Sequence, residues 1–165
     1  KRDDLFEWLD RFTKLNTYEI SIPGLKNSNF VPDGKSGIII SFLIEYDIFK
    51  KLKYKGWYEE FSKELEVKII DVITNSIYPM LKSKLMESFS FTPLSIQNRV
   101  ASSEGAIVGW SFLDTIPVPN KISDAKKSVL TSIPNIYKAG QWTYSPAGVP
   151  MSILTGRLAA EKVCK

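Results

Sequence analysis

The stretch WYEEFSKELEVKIIDVITNSI, residues 57–77, decides the helical part of this fold. Its glutamates and lysines occupy one face, and its apolar residues recur at steps of three and four, at Trp57, Phe61, Leu65, Ile69, Val72, Ile73 and Ile77. This spacing predicts an amphipathic helix of about twenty residues, about 30 Å long. Pro79 should end it, because the proline ring disfavours helical geometry in Tyr78. A stripe of this kind predicts an ordinary buried core.

The residues before this helix predict a second helix and two strands. Residues 4–15 carry apolar side chains at helical spacing, and residues 18–22 alternate until Pro23 and Gly24 end the run. Residues 27–37 are rich in Asn, Ser, Pro and Gly, which predicts a loop. The nearly continuous apolar run IIISFLIEYD, residues 38–47, predicts a strand covered on both faces.

The residues after the long helix predict more strand and a final helix. Residues 87–100 are interpreted as a strand interrupted at Thr92-Pro93, and residues 117–135 as a loop-dominated crossing. Residues 136–142 predict a short strand ending at Gly140, and a helix begins near Pro150. Gly105 and Gly109 flank a short apolar run, where missing side chains would let another surface approach. The elements predict an α+β fold with a mixed, largely antiparallel sheet, and the lack of a linker favours one domain.

Composition excludes several functional classes. The 165 residues are 44% hydrophobic and 24% charged, as in a soluble globular protein with a sizeable core. The longest apolar run, residues 37–44, is far shorter than the about 20 residues that a spanning helix needs. The chain has no histidine, which removes Ser-His-Asp and Cys-His catalysis and most zinc sites, so we expect no catalytic side chain and no metal site. The single cysteine, Cys164, agrees with a reducing compartment and a cytoplasmic location.

The net charge of +4 is concentrated in KKLKYKGWY, residues 50–58, where four lysines alternate with aromatic residues. The favoured interpretation is a solvated turn between a strand and a helix. A membrane-surface patch is the next alternative, because lysines beside aromatic rings suit an anionic lipid interface. Nucleic-acid binding ranks last, since the lysines form one short segment rather than a stripe.

The segment GQWTYSPAGVPMSILTGRLAAEKV, residues 140–163, has the order strand, Gly, loop, Gly-x-Pro, helix. Gly148 allows a close turn and Pro150 fixes the first helical turn, so the N–H groups near Val149, Met151 and Ser152 would face an electron-rich ligand. The alternative is a plain turn with a helix cap, which is the more frequent meaning of glycine and proline alone.

Residues 139–161 resemble the C-terminal signature of the FAD-dependent phytoene desaturase-like family. This family of carotenoid desaturases and isomerases and retinol saturase-type reductases lies within the amine-oxidase-like flavoprotein superfamily. Residues 21–35 and 90–110 are similar to two upstream family segments, and the three occur in family order. The chain departs from the family at Ala147, where members typically have a further glycine, and at Gln141, where many flavoproteins have an acidic residue.

The resemblance implies a cofactor site for FAD. Gly140, Gln141 and Trp142 would contact the ribityl and pyrophosphate region of FAD. The residues at the start of the last helix would face the pyrimidine edge of the isoalloxazine: Gly148, Val149, Pro150 and Met151. The family's G-x-G-x-x-G turn does not occur in this sequence. We therefore expect only part of the FAD site here, with an N-terminal Rossmann half of the same polypeptide as partner, and no activity from this piece alone.

The resemblance also implies the division of the chain and its substrate. Residues 1–135 would be part of a substrate-binding domain, and residues 136–165 a strand, loop and helix that complete the FAD site. The substrate would be a long, apolar, unsaturated molecule that exchanges hydride with the flavin, with residues 38–44 and the long helix walling its channel and Trp110 and Phe112 lining it. The rival hypotheses are a non-catalytic lipid-binding module, an interaction domain and a peripheral membrane contact.

Overall fold

The computed structural model describes residues 1–110 and 115–164. The chain forms two compact units, Lys1–Arg99 and Val100–Lys165, where the sequence favoured one domain. The first contains α1 (Arg2–Leu15), β1 (Glu19–Ser21), α2 (Pro23–Lys26), β2 (Ile39–Ser41), α3 (Tyr46–Tyr54), α4 (Tyr58–Ser76), α5 (Leu81–Lys84) and α6 (Pro93–Val100), whose last residue belongs to the second unit. The second contains α7 (Ala125–Ser128) and α8 (Val149–Val163). Short 3-10 turns occupy Ser28–Phe30, Ser103–Gly105 and Ile122–Asp124.

The core of the first unit is built around α4, as its periodicity predicts. Phe61, Leu65, Ile69 and Ile73, one per turn, are buried against α1 and α3. Leu9 of α1 and Phe49 of α3 are fully buried in the same cluster, and the Phe49 and Phe61 rings meet edge to face with centroids 5.8 Å apart. The apolar stripe of α4 is therefore ordinary core, and its buried side chains do not wall a substrate channel.

The sheet is smaller than the sequence predicts. Among the described residues it has two strands, β1 and β2, which pair antiparallel with Ile20 opposite Ile40. The expected doubly covered strand over residues 38–47 is wrong, because β2 has three residues, Ile39 is 54% exposed and the chain enters α3 at Tyr46. The coarse prediction of a mixed helix-and-sheet fold is confirmed.

The predicted strand over residues 87–100 is also wrong, because Thr92 and Pro93 start a helix. The Thr92 hydroxyl accepts the Ser95 N–H at 3.3 Å, and the Ser95 hydroxyl accepts the Thr92 N–H at 2.8 Å. This reciprocal pair caps α6, and proline at the first helical position loses no hydrogen bond. The Tyr58 hydroxyl lies 2.7 Å from that of Thr92 and ties the cap to α4.

The second unit has no regular strand among its described residues. The predicted strand over residues 136–142 reduces to a single antiparallel bridge between Leu130 and Tyr137, with the Lys138 N–H donating to the Val129 carbonyl at 2.9 Å. The facing segment leaves α7 at Ser128 and is too short for a ladder. The C-terminal helix is confirmed, and α7 packs against α8.

Candidate functional site

The N-terminus of α8 is open, as the glycine-proline loop predicts. Gly148 is its cap residue, with φ +134°, and Pro150 lies in the first turn. The Ser152 N–H donates to the Gly148 carbonyl at 2.9 Å, so the expectation that this amide is free is wrong. Within the described residues, the amides of Val149 and Met151 have no hydrogen-bond acceptor. Two N–H groups at the positive end of a fifteen-residue helix therefore remain to bind a ligand.

A surface-open cavity of about 440 Å³ lies at this helix end, entirely within the second unit. Its lining is mostly aliphatic: Ile107, Val108, Gln141, Gly148, Val149, Ser152 and Ile153. The four aliphatic side chains are between 55% and 73% exposed, so they present apolar surface to solvent rather than to the core. The cavity thus combines apolar walls with one amide side chain, one hydroxyl and a helix terminus.

The structure brings together three of the seven predicted cofactor residues. Gln141, Gly148 and Val149 line the cavity. Pro150 and Met151 belong to the first turn of α8 but do not line it, and neither do Gly140 and Trp142. Only part of the predicted set therefore faces the cavity.

Gly140 is fixed to α8 rather than directed into the cavity. Its N–H donates to the Thr155 hydroxyl at 3.0 Å, and its φ is +102°, a conformation that favours glycine. The Thr155 hydroxyl in turn bonds the Met151 carbonyl at 2.8 Å. Because Thr155 is fully buried, this contact is shielded from water.

Trp142 is held by Trp110. The indole N–H of Trp110 donates to the Trp142 carbonyl at 2.9 Å, and the two rings meet edge to face with centroids 5.3 Å apart. Trp110, which was expected to line a substrate channel, does not line this cavity. Its indole N–H is instead bound to the Trp142 backbone. Phe112, the other expected channel residue, lies outside the described residues.

The predicted close approach at Gly109 is confirmed. A Cβ on Gly109 would lie 2.4 Å from the Gln141 carbonyl oxygen and 3.1 Å from the Ala147 Cβ. The segment of Ile107 and Val108 can therefore lie against the 141–147 loop only because residue 109 has no side chain. The Ala147 methyl faces Gly109, so the extra carbon that distinguishes this loop from the family pattern does not line the cavity.

The cavity carries no ionisable lining residue. Elsewhere in this unit, a hydrogen bond from Lys127 to Asp124 at 2.9 Å lowers the pKa of the carboxyl and raises the pKa of the lysine. That pair lies at the start of α7 and does not line the cavity. Among the described residues, no three His, Cys, Asp or Glu side chains cluster so that they could hold a metal ion.

The donor set fits the isoalloxazine end of FAD. A flat ring with one polar edge needs apolar contacts for its faces and hydrogen-bond donors for its N1 and O2 atoms. Ile107, Val108 and Ile153 offer the first, and the open end of α8 with the Gln141 amide offers the second. A negative charge on the reduced ring would be stabilised there by up to about 2 kcal/mol. The cavity offers no counterpart for the adenosine diphosphate half.

The predicted site did not include Ile107, Val108 and Ile153 or the hydrogen bond at Thr155, and it included Ser152 only through its backbone amide. Ser152 and Ile153 follow Val149 at steps of three and four, so helical periodicity alone places them on the face that Val149 begins. No local pattern connects Ile107 and Val108 to residues more than thirty positions later. The close approach at Gly109 and the contact between Trp110 and Trp142 bring the two segments together.

A second surface feature lies on α3. Lys50, Lys51 and Lys53 lie on this helix, and Lys55 caps its end. The segment is exposed to solvent as predicted, but it is helical rather than a turn. All four lysines are exposed and none pairs with a carboxylate among the described residues. Tyr54, between them, is 93% exposed.

No helix in the described ranges combines the length and the apolar character needed to cross a bilayer. Comparisons with protein-family models, with curated protein sequences and with solved structures gave no match for this chain.

Proposed function

We propose that this chain is the C-terminal part of an FAD-dependent oxidoreductase that exchanges hydride with a long, apolar, unsaturated substrate such as a carotenoid, a retinoid or another isoprenoid. The second unit closes over the isoalloxazine. The adenosine diphosphate half of FAD is held by a Rossmann half of the same polypeptide, in an amine-oxidase-like fold. This piece alone is inactive.

The observation that carries the proposal is the cavity at the N-terminus of α8. Gln141, Gly148 and Val149, which the resemblance implies for the flavin, line one cavity although seven positions separate the first two in the sequence. The open amides of Val149 and Met151 supply positive potential without a side chain. Such an end favours the reduced, anionic flavin over the oxidised, neutral one, and so favours hydride removal from a substrate.

The aliphatic walls support an apolar substrate. Ile107, Val149 and Ile153 are 68–73% exposed, an arrangement that costs free energy in water unless a ligand covers it. Flavin supplies the hydride acceptor when bound. This chain's residues orient the ring, exclude water from it and offer the apolar surface beside it.

The test uses the native polypeptide that carries these residues. We expect it to purify with bound FAD at about one equivalent, and its flavin to be reduced anaerobically by an isoprenoid alkene or reoxidised by a polyene. Absorption spectroscopy measures both. A native polypeptide that binds no FAD when reconstituted would overturn the proposal.

A second candidate, a peripheral membrane contact, is favoured by the unpaired lysines of α3. Four cations beside the exposed Tyr54 suit an anionic lipid surface, at about 1 kcal/mol per lysine near the membrane. Co-sedimentation with vesicles of mixed zwitterionic and anionic lipid measures this contact. Replacing Lys50, Lys51, Lys53 and Lys55 by Ala should abolish sedimentation, and unchanged binding would exclude the patch. The matched control replaces four exposed lysines outside it, Lys26, Lys35, Lys126 and Lys162.

A further inference from the structure

Thr155 lies in the second turn of α8, is fully buried and does not line the cavity. Its hydroxyl accepts a hydrogen bond from the Gly140 N–H at 3.0 Å and donates one to the Met151 carbonyl at 2.8 Å. One side chain thus joins the residue before Gln141 to the turn of helix that carries the open amides. Within the described residues, no other hydrogen bond joins residues 136–147 to α8.

We infer that Thr155 is the positioning residue of this cavity: its hydroxyl sets the distance between Gln141 and the N-terminus of α8. This inference rests on the proposed function for the identity of the ligand. The neighbouring contact, from the Trp110 indole to the Trp142 carbonyl, fixes the other side of Gln141. Gln141 is therefore held between two anchored residues, and only the Thr155 anchor belongs to the helix that faces the ligand.

The Gly140 N–H depends on the Thr155 hydroxyl as its hydrogen-bond acceptor. An N–H that loses its buried acceptor either stays in place unpaired, at a cost in free energy, or moves to reach water, and the move displaces the backbone that carries Gln141. The Thr143 N–H donates to the Gly140 carbonyl at 3.1 Å, but this bond lies within the loop and does not tie it to α8. Side-chain packing does not hold residue 140 either, because a Cβ built there meets nothing within 4 Å. The hydroxyl of Thr155 is thus what holds residue 140 in register with α8.

Three variants of the native polypeptide test this inference. Thr155→Val keeps the shape of the side chain and removes the hydroxyl, Thr155→Ser keeps the hydroxyl and removes the methyl group, and Thr155→Ala removes both in case the valine variant does not fold. We expect Thr155→Val and Thr155→Ala to weaken FAD binding about tenfold and to shift the reduction potential of the bound flavin. Thr155→Ser should retain the wild-type dissociation constant and potential.

A loss of thermal stability alone, with FAD affinity and flavin potential unchanged in Thr155→Val, would overturn the inference and leave the proposed function intact. Equal losses in Thr155→Ser and Thr155→Val would overturn it too, because the hydroxyl would then not be the cause. If the wild-type polypeptide binds no FAD, the proposed function fails, and the anchor is tested without ligand. Exchange of the Gly140 amide, followed by NMR, should then accelerate at least tenfold in Thr155→Val and not in Thr155→Ser, and unchanged exchange would overturn the anchor.

Discussion

At the scale of single residues, two glycines shape the cavity for different reasons. Gly148 has a backbone conformation that other residues rarely adopt, with open space around it, since a Cβ there meets only the Pro150 Cδ at 3.9 Å. Gly109 combines a positive φ with a backbone contact that leaves no room for a side chain. A substitution at Gly148 therefore acts through backbone strain, and a substitution at Gly109 also acts through a steric clash with the Gln141 backbone.

We expect Gly148→Val to lower the FAD affinity of the native polypeptide at least tenfold, because the branched side chain would occupy the front of the helix end. Strain at a positive φ should cost about 1–3 kcal/mol of stability. Gly34→Val is the matched control, since Gly34 also has a positive φ, has nothing within 4 Å and does not line this cavity. Stoichiometric FAD in purified Gly148→Val would contradict the placement of the flavin.

We expect Gly109→Ala to destabilise the protein by about 2–3 kcal/mol, because its Cβ would meet the Gln141 carbonyl at 2.4 Å and force the two segments apart. Gly156→Ala serves as its control, since Gly156 lies inside α8 and a Cβ built there meets nothing within 4 Å. Alanine at this position should increase the free energy of unfolding by at most about 1 kcal/mol. Urea denaturation measures both. Equal stability of the two variants would show that segment 107–109 does not press on the loop.

At the scale of elements, the start of α6 shows how one hydroxyl can decide between strand and helix. Thr92 is buried and its hydroxyl meets both the Ser95 amide and the Tyr58 hydroxyl. A capped helix and a tie to α4 therefore outweigh the strand preference of the residues before them.

We expect Thr92→Ala to lower the free energy of unfolding by about 1–2 kcal/mol, because the cap of α6 and the partner of Tyr58 are lost together. Thr92→Ser retains the hydroxyl and should lose about half as much or less. Chemical denaturation followed by circular dichroism compares them. If the serine variant is as unstable as the alanine variant, the threonine methyl and not the cap is responsible.

At the scale of the whole molecule, two carboxylates of the first unit link stability to pH. Hydrogen bonds from Lys14 and then Lys68, at 2.6 Å and 3.1 Å, lower the pKa of Asp10. Burial alone would raise the pKa of Glu66, but hydrogen bonds from Ser88 and Lys63 outweigh it and lower that pKa. Both carboxylates are thus more acidic in the folded chain than in the unfolded one.

The folded pKa of each carboxylate lies below its unfolded value, which is about 3.9 for Asp and about 4.3 for Glu. The two carboxylates therefore make their full contribution to the free energy of unfolding at a pH above those values. It is lost as pH falls through the folded pKa. We expect the free energy of unfolding to decrease from about pH 5 downwards, and Glu66→Gln to make this decrease shallower. Glu87→Gln, at an exposed residue with no ion pair among the described residues, is the control. Identical pH profiles for wild type and Glu66→Gln would contradict the assignment.

Elements encoded by neighbouring residues could be predicted from the sequence, and elements that need a distant partner could not. The α4 stripe from Phe61 to Ile73 and the Gly148-x-Pro150 start of α8 are confirmed because helix periodicity and capping act within a few residues. The predictions of strands over residues 38–47 and 136–142 failed because a strand needs a partner. β1 has only three residues to pair with the first segment, and Leu130 forms a single bridge with Tyr137 of the second.

Local sequence accounts for the long core helix and for the open start of the C-terminal helix, since helix periodicity and capping act within a few positions. Tertiary packing was needed to place Ile107 and Val108 with Gln141 and Val149 around one cavity, and to bring the Thr155 hydroxyl to Gly140. Those contacts join residues between fifteen and about forty positions apart. They depend on a missing side chain at Gly109 and a buried hydroxyl at residue 155, whose partners no local pattern specifies.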